Sequence, residues 1–458
     1  MKSHLTPMAC HPRGLRAALF LFLSLLAACS SSDDGPTTQA PPTGDPESNS
    51  LLDRARSAGF GQFVALASAS SFADRLRGED STHPGDLTVF APSDASFALL
   101  PPGEIQALFE PGAEADLDAF VGYHLAEGSI DLATLGGLPQ LGMLAGGDAF
   151  VDIAGDATVV NDARIETLDD EADNGLLFGI SRPLEAPRPI LETLERRGFT
   201  TLLELVDLAG LSGSLAGGQW TFLAPNEDAF SALSAAELDD LRDPAQQAAL
   251  QARLELHLTA GVARIGDRLA AHHAENLGGS YLFFGPNGDG APSVNGTRLE
   301  AVNVRCTDGI VHVLPTLSEE LPTVGELMAP QGLATLGSLM FAGGLTQDLD
   351  DLAPLTLFGP TNLALEFGLA PGVLDDLVDP ANLPQLQAFL RTHMVTLPAS
   401  YESLDPGTAL TAISGESIQV TESFGQTTLN GAIQLSVRNV YARNGVLHVI
   451  DGVLDDGE

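Results

Sequence analysis

The chain has 458 residues, with 61 Asp and Glu against 21 Lys and Arg, a formal charge of −40 and a pI near 4.2. That sign excludes a nucleic-acid binder that works by neutralising phosphates, and three cysteines in so long a chain exclude a disulfide scaffold. Hydrophobic residues make up 44%, enough for real cores, and the length suggests about three domains.

Residues 1–28 read as a secretion signal: Lys2, Arg13 and Arg16 precede an apolar run from Ala17 to Ala28 that is too short to span a bilayer. The run closes in Leu26-Ala27-Ala28-Cys29, followed by a polar stretch, which resembles a bacterial lipobox. That resemblance implies cleavage before Cys29 and lipidation of its thiol; several acyl chains would give stable anchoring. The same resemblance implies sorting to the outer membrane, since Ser30 rather than an Asp follows the cysteine. Cleavage removes three cations and no acid, leaving a charge of −43 and, because Lys2 is the single lysine, a lysine-free chain. Walker-type phosphate loops, Schiff bases and Ser-Lys mechanisms are thereby excluded. Residues 29–50 are rich in Pro, Gly, Ser, Thr and acids and read as a lipidated, flexible linker.

Three repeats follow. Thr88-Val89-Phe90-Ala91-Pro92-Ser93 recurs as Thr221-Phe222-Leu223-Ala224-Pro225-Asn226 and Thr356-Leu357-Phe358-Gly359-Pro360-Thr361, with starts 133 and 135 residues apart. Each is a β-prone run stopped by proline, and Ser93, Asn226 and Thr361 are good helix N-caps. His124, His257 and His393 stand 32, 32 and 33 residues after these prolines. Leu117, Phe120, Val121, His124 and Leu125 have helical spacing, as do their counterparts before and after His257 and His393, so the histidines are expected on the buried stripe of an amphipathic helix. Each unit closes with a turn before an apolar run: Asn174-Gly175, Asp308-Gly309 and Asn444-Gly445. Units therefore open helical and end in β-hairpins.

Motifs in this order and spacing resemble fasciclin domains, through the Thr88–Phe97 segment, the Tyr123-His124 region and the terminal run Asn444 to Leu454. The resemblance implies an α+β fold of three tandem fasciclin-like domains, 51–186, 187–320 and 321–458, each a wedge of β-strands with packed helices. Phe178 departs from the pattern in the first copy, where a terminal histidine is expected, and Gly359 and Leu365 depart in the third. Short, proline-containing joints near Glu185–Pro189 and Glu320–Pro322 predict a compact or semi-rigid rod.

Catalytic and metal signals are weak. The repeated histidines lie far apart on apolar faces, unlike zinc ligands at close spacing, and are expected to be hydrogen-bonded structural groups. His272-His273 read as surface. Gly210-Leu211-Ser212-Gly213-Ser214 departs from the nucleophile elbow at its fifth residue, and Leu211 to Gly218 reads as a loop. Cys306 reads as a buried, inert thiol in a strand, and Asn287-Gly288-Asp289-Gly290 as a hairpin loop rather than a calcium site. In animal fasciclin proteins a Tyr-His pair is associated with integrin adhesion; here only Tyr123-His124 has it, and the function is not carried over. The expected protein is no enzyme and needs no cofactor or metal. It is a lipid-anchored envelope module binding an unidentified protein or polysaccharide ligand, with no nucleic acid as partner. A periplasm-facing structural scaffold is the alternative, and an enzyme acting on envelope glycans a more distant one.

Overall fold

The computed structural model describes residues 49–154 and 157–454. Each repeat opens with three helices: Leu51–Ser57, Gly61–Ala69 and Ala73–Leu76 in the first, Ile190–Arg196, Thr200–Leu208 and Ser212–Gly217 in the second, and Val324–Leu327, Ala334–Ala342 and Thr346–Asp351 in the third. Between the first two helices of each set the chain turns at Gly59, Gly198 or Gly332, with φ of 91°, 79° and 75°. Only a residue without Cβ enters that left-handed region at little cost, so the helices break there.

The first repeat continues into seven strands: β1 (Leu87–Pro92), β2 (Leu125–Glu127), β3 (Gln140–Gly142), β4 (Asp148–Ala154), β5 (Ala157–Val160), β6 (Ala163–Ala172) and β7 (Gly175–Ile180). Their order in the sheet is β2-β1-β7-β6-β5-β4-β3. β1 lies parallel to β7, Leu87 opposite Gly175, and every other pair is antiparallel. Both central strands are buried at every residue, as expected of strands covered on two faces. The two sheet ends approach, because Ala126 bridges Met143 and Leu144 N–H donates to Leu125 O at 2.8 Å. The third repeat has the same seven-strand order between Leu355 and Ile450. In the second, Trp220–Pro225, Leu258–Ala260, Ala301–Arg305 and Gly309–Leu314 form one four-stranded sheet, and the strands from His273 to Arg298 form another. The fold is α+β, in agreement with the sequence.

Alternation along the motif strand divides each core in two. Leu87, Val89 and Ala91 join the helix-side cluster with Phe63, Leu66 and Val121, whereas Phe90 faces the strand-lined interior with Tyr123, Val151 and Phe178. Leu355 and Leu357 against Phe358 repeat the division in the third domain, and Phe222 and Ala224 against Leu223 in the second. This is the period of two that a strand imposes.

Three local expectations are corrected. The helices that carry the stripe, Glu114–Gly122, Gln247–Glu255 and Leu383–Thr392, end before His124, His257 and His393, and Leu125, Leu258 and Met394 begin short strands. Those residues pair with Val89, Phe222 and Leu357, so ladder formation with the motif strand outcompetes another helical turn. Ser93 makes no side-chain cap, whereas Asn226 and Thr361 do, accepting from Ala229 N and Ala364 N. The segment after Leu211 is a helix, Ser212–Gly217, held by buried Leu211 and Leu215 and by Trp220 Nε1–H donating to Ser214 O.

Candidate functional site

The residues repeated in the sequence are all structural fasteners. His124, His257 and His393 are fully buried. Their Nδ1 atoms bond the carbonyls of Phe120, Leu223 and Phe389 at 2.8, 2.9 and 3.0 Å. Their Nε2 atoms accept from the backbone N–H of Leu184, Ser318 and Leu454 at 2.9, 3.1 and 3.1 Å. A carbonyl can only accept and an amide N–H can only donate, so each ring is the neutral Nδ1–H tautomer. Burial pushes all three imidazoles down to about 4. Each histidine thus ties the end of its helix to the segment leaving its domain's last strand.

Two further residue types act in the same way in every repeat. The Thr88, Thr221 and Thr356 hydroxyls donate to the carbonyls of Gly128, Gly261 and Leu397 and accept from Ile130 N, Ala263 N and Ala399 N, each at 2.9 Å. Oδ1 of Asn174, Asp308 and Asn444 accepts from Leu51 N, Ile190 N and Val324 N at 2.8, 2.7 and 2.9 Å, pinning the start of the first helix to the closing hairpin. The glycines after them have no alternative, since a Cβ at Gly175 or Gly445 would lie 1.9 or 1.7 Å from the carbonyl oxygen of Leu87 or Leu355. The Asn-Gly and Asp-Gly pairs read from sequence as turns alone, and the threefold recurrence of a threonine at the start of the motif is the sequence signal for the second fastener. Pro92, Pro225 and Pro360 are buried at the last position of their strands.

A second pair of histidines, His312 and His448, is also fully buried and held down to about 4 by burial. Their Nε2–H donates to Ala263 O and Ala399 O at 3.2 and 2.8 Å. Phe178 takes this place in the first repeat and stacks on Phe90 at 5.7 Å, as His448 stacks on Phe358 at 5.6 Å. Tyr123 is 1% exposed and donates its hydroxyl to Asp148 O at 3.1 Å. The Tyr123-His124 pair therefore packs the core and presents nothing to a partner.

The other sequence candidates are also structural. Burial pushes the Cys306 thiol up to about 12, and Sγ lies 3.6 Å from the Thr193 hydroxyl. Asn287 Oδ1 accepts from Asp289 N and Ala291 N, closing a hairpin between Tyr281–Pro286 and Pro292–Val294. His272 and His273 are half-buried rather than on the surface, because His272 ends a helix in the left-handed region and His273 enters a strand. Among the described residues no group of three or more His, Cys, Asp or Glu side chains is placed to hold a metal ion. Among them, too, no helix is long and apolar enough to cross a membrane. Cys29, the signal at 1–28 and nearly all of the linker lie outside the described residues.

Successive repeats are joined by specific contacts. Asp152 accepts from Gly266 N at 2.9 Å, and Arg264 donates to Pro139 O at 2.7 Å. Arg264 and Arg305 lie over the Phe150 ring at 6.0 and 4.6 Å. Val159 of the first repeat is buried in a cluster of the second with Leu223, Ile265 and Val302. Nearby, Asp162 pairs with Arg182 and Arg197, each at 2.7 Å; burial alone would raise its carboxyl, but the two guanidiniums hold it below the ordinary range. The second joint is lighter: Tyr281 N–H donates to Arg443 O at 2.8 Å, and Phe283 stacks on Tyr441 at 5.0 Å.

The fasciclin domain family model matches residues 58–186, 197–317 and 331–456. Human periostin is 25% identical over 400 residues, 86% of this chain and 45% of that protein. The pig transforming growth factor-beta-induced protein ig-h3 is 29% identical over 277 residues, 58% of this chain and 39% of that one. The Synechocystis protein sll1735, called uncharacterized, is 32% identical over 135 residues, 29% of this chain and 98% of its own. The chain spans less than half the length of the two animal relatives.

Proposed function

The chain belongs to the fasciclin domain family, and from that premise we propose that it is a lipid-anchored adhesion or interaction module of a bacterial cell envelope. The observation that carries the reading is the order of parts: a lipobox ending in Cys29, a polar linker, then three complete fasciclin domains with their motif histidines turned inward. Lipid on Cys29 would hold the chain at the outer membrane, and the linker would give the domains reach. A ligand, protein or polysaccharide, would be met by the domain surfaces rather than by the repeated motifs. Three domains in series favour avidity, in which weak single contacts add through high local concentration.

We read the protein as non-enzymatic. The lysine-free mature sequence supports this, as does the spending of its most reactive groups, the five buried histidines and Cys306, on internal packing. Family and fold give no ligand by themselves.

The test is the exchange Cys29→Ser in cells fed labelled palmitate. The wild-type chain should carry label and sediment with membranes, and the variant should do neither. A variant that stays membrane-bound and labelled would contradict the anchor.

A further inference from the structure

The third domain exposes apolar side chains that its own fold does not require. Phe341, Leu363 and Phe367 are 80%, 66% and 75% exposed. They stand on Ala334–Ala342 and Asn362–Phe367, two helices in contact whose starts are joined by Thr335 N–H donating to Asn362 Oδ1 at 3.0 Å. The inner faces of these helices, Leu336, Leu339, Met340 and Leu365, fill the core. Counting from the motif proline, Leu363 and Phe367 correspond to Asp228 and Ala232 of the second domain. Counting from the residue before each helix, Phe341 corresponds to Asp207. Asp207 and Asp228 are exposed, so the same scaffold folds with carboxylates at these positions.

The electrostatic setting of this face is strongly acidic, with Arg391 paired to Asp348 at 3.9 Å. Between residues 321 and 390 the sequence has eight carboxylates and no Lys, Arg or His. Glu366 lies between Leu363 and Phe367, and Asp375, Asp376 and Asp379 are exposed on the next turns of the chain. A second copy would bring acid against acid, and an anionic bilayer would be repelled. Apolar anchors set among exposed acids suit a partner with the opposite pattern, in which an apolar stripe is flanked by cations.

We propose that the paired helices Ala334–Ala342 and Asn362–Phe367 form a docking face for a basic amphipathic segment of a partner protein, seated on Phe341, Leu363 and Phe367. This rests on the reading of the chain as an interaction module and assigns that role to one face of one domain. Failure here would leave the anchor, and binding by the other domains, untouched.

The experiment uses the purified full chain and a fluorescent Leu/Lys peptide patterned as an amphipathic helix, with a peptide of the same composition and alternating pattern as control. The triple variant Phe341→Asp, Leu363→Asp, Phe367→Ala installs the second domain's residues and should keep the wild-type melting temperature. Affinity for the helical peptide should fall at least 10-fold, although the variant gains two negative charges that would by themselves favour a cation. The control peptide should bind weakly and be insensitive to the variant. Equal binding of the helical peptide by variant and wild type would overturn the proposal, and so would equal binding of both peptides by the wild type. Self-association of the wild type in sedimentation, abolished by the triple variant, would also overturn it, because the occupant would then be a second copy.

Discussion

His393 Nε2 accepts a hydrogen bond from the Leu454 backbone N–H at 3.1 Å, across 61 residues of sequence. His124 with Leu184 and His257 with Ser318 repeat the bond at separations of 60 and 61 residues. Each bond closes a domain on the segment leaving its last strand, and each needs a neutral ring. Several consequences for stability depend on that requirement.

Replacing one fastener should destabilise its domain. His257→Leu keeps the volume roughly but leaves the Leu223 carbonyl without its partner in the core and the Ser318 N–H without its partner at a half-buried site. Each lost buried partner costs about 1–3 kcal/mol, so urea unfolding should show a loss of about 2–5 kcal/mol. A loss under about 0.5 kcal/mol would show that water or another group reaches the site.

The pH dependence follows from five fully buried histidines, 124, 257, 312, 393 and 448, each lowered to about 4 by burial. A folded value below the unfolded one, about 6.5, means that the unfolded chain binds more protons between those limits. Stability is therefore greatest above about pH 6.5 and falls as pH drops toward 4, by about 3 kcal/mol per histidine. Protonation of surface carboxylates, which relieves self-repulsion, opposes this only below about pH 5. The urea midpoint should fall between pH 7 and pH 5. A midpoint that rises over that interval would contradict the neutral-histidine account.

Salt acts on the other large charge term. With a formal charge of −40, self-repulsion should be screened as ionic strength rises. The melting temperature should climb between low and high NaCl; a fall would mean that the arginine–carboxylate pairs at the joints outweigh the repulsion.

Phe424 is fully exposed at the tip of the hairpin joining Ser417–Ser423 to Gln426–Leu429, with φ at 51°. A bulky residue is strained there and buries nothing in return. Phe424→Asn should raise stability by about 1 kcal/mol, because asparagine enters that region more readily. Calorimetry showing destabilisation would mean that the ring is packed in solution.

Much of the fold was legible because repeated short-range signals agree. Proline-stopped strands, apolar helical spacing and Asn-Gly turns recur in three copies, and any one copy corrects the others. Helix ends were harder to read. Leu125 and Met394 suit a helical stripe and a strand equally, and only the distant partners Val89 and Leu357 decide. Nothing local marks Asp94, the residue after Ser93, yet its carboxylate accepts from Gln62 N at 2.8 Å and caps a helix 32 residues earlier. The exposure of Phe341, Leu363 and Phe367 was not visible in the sequence at all, since apolar residues at helical spacing look like core until a structure shows which side they face.

The most direct test of the whole account is protease shaving of intact cells, with a periplasmic protein as leakage control. An outward-facing interaction module predicts loss of the three fasciclin domains while the control survives. Protection of the domains until the outer membrane is permeabilised would contradict it and leave an inward-facing scaffold in its place.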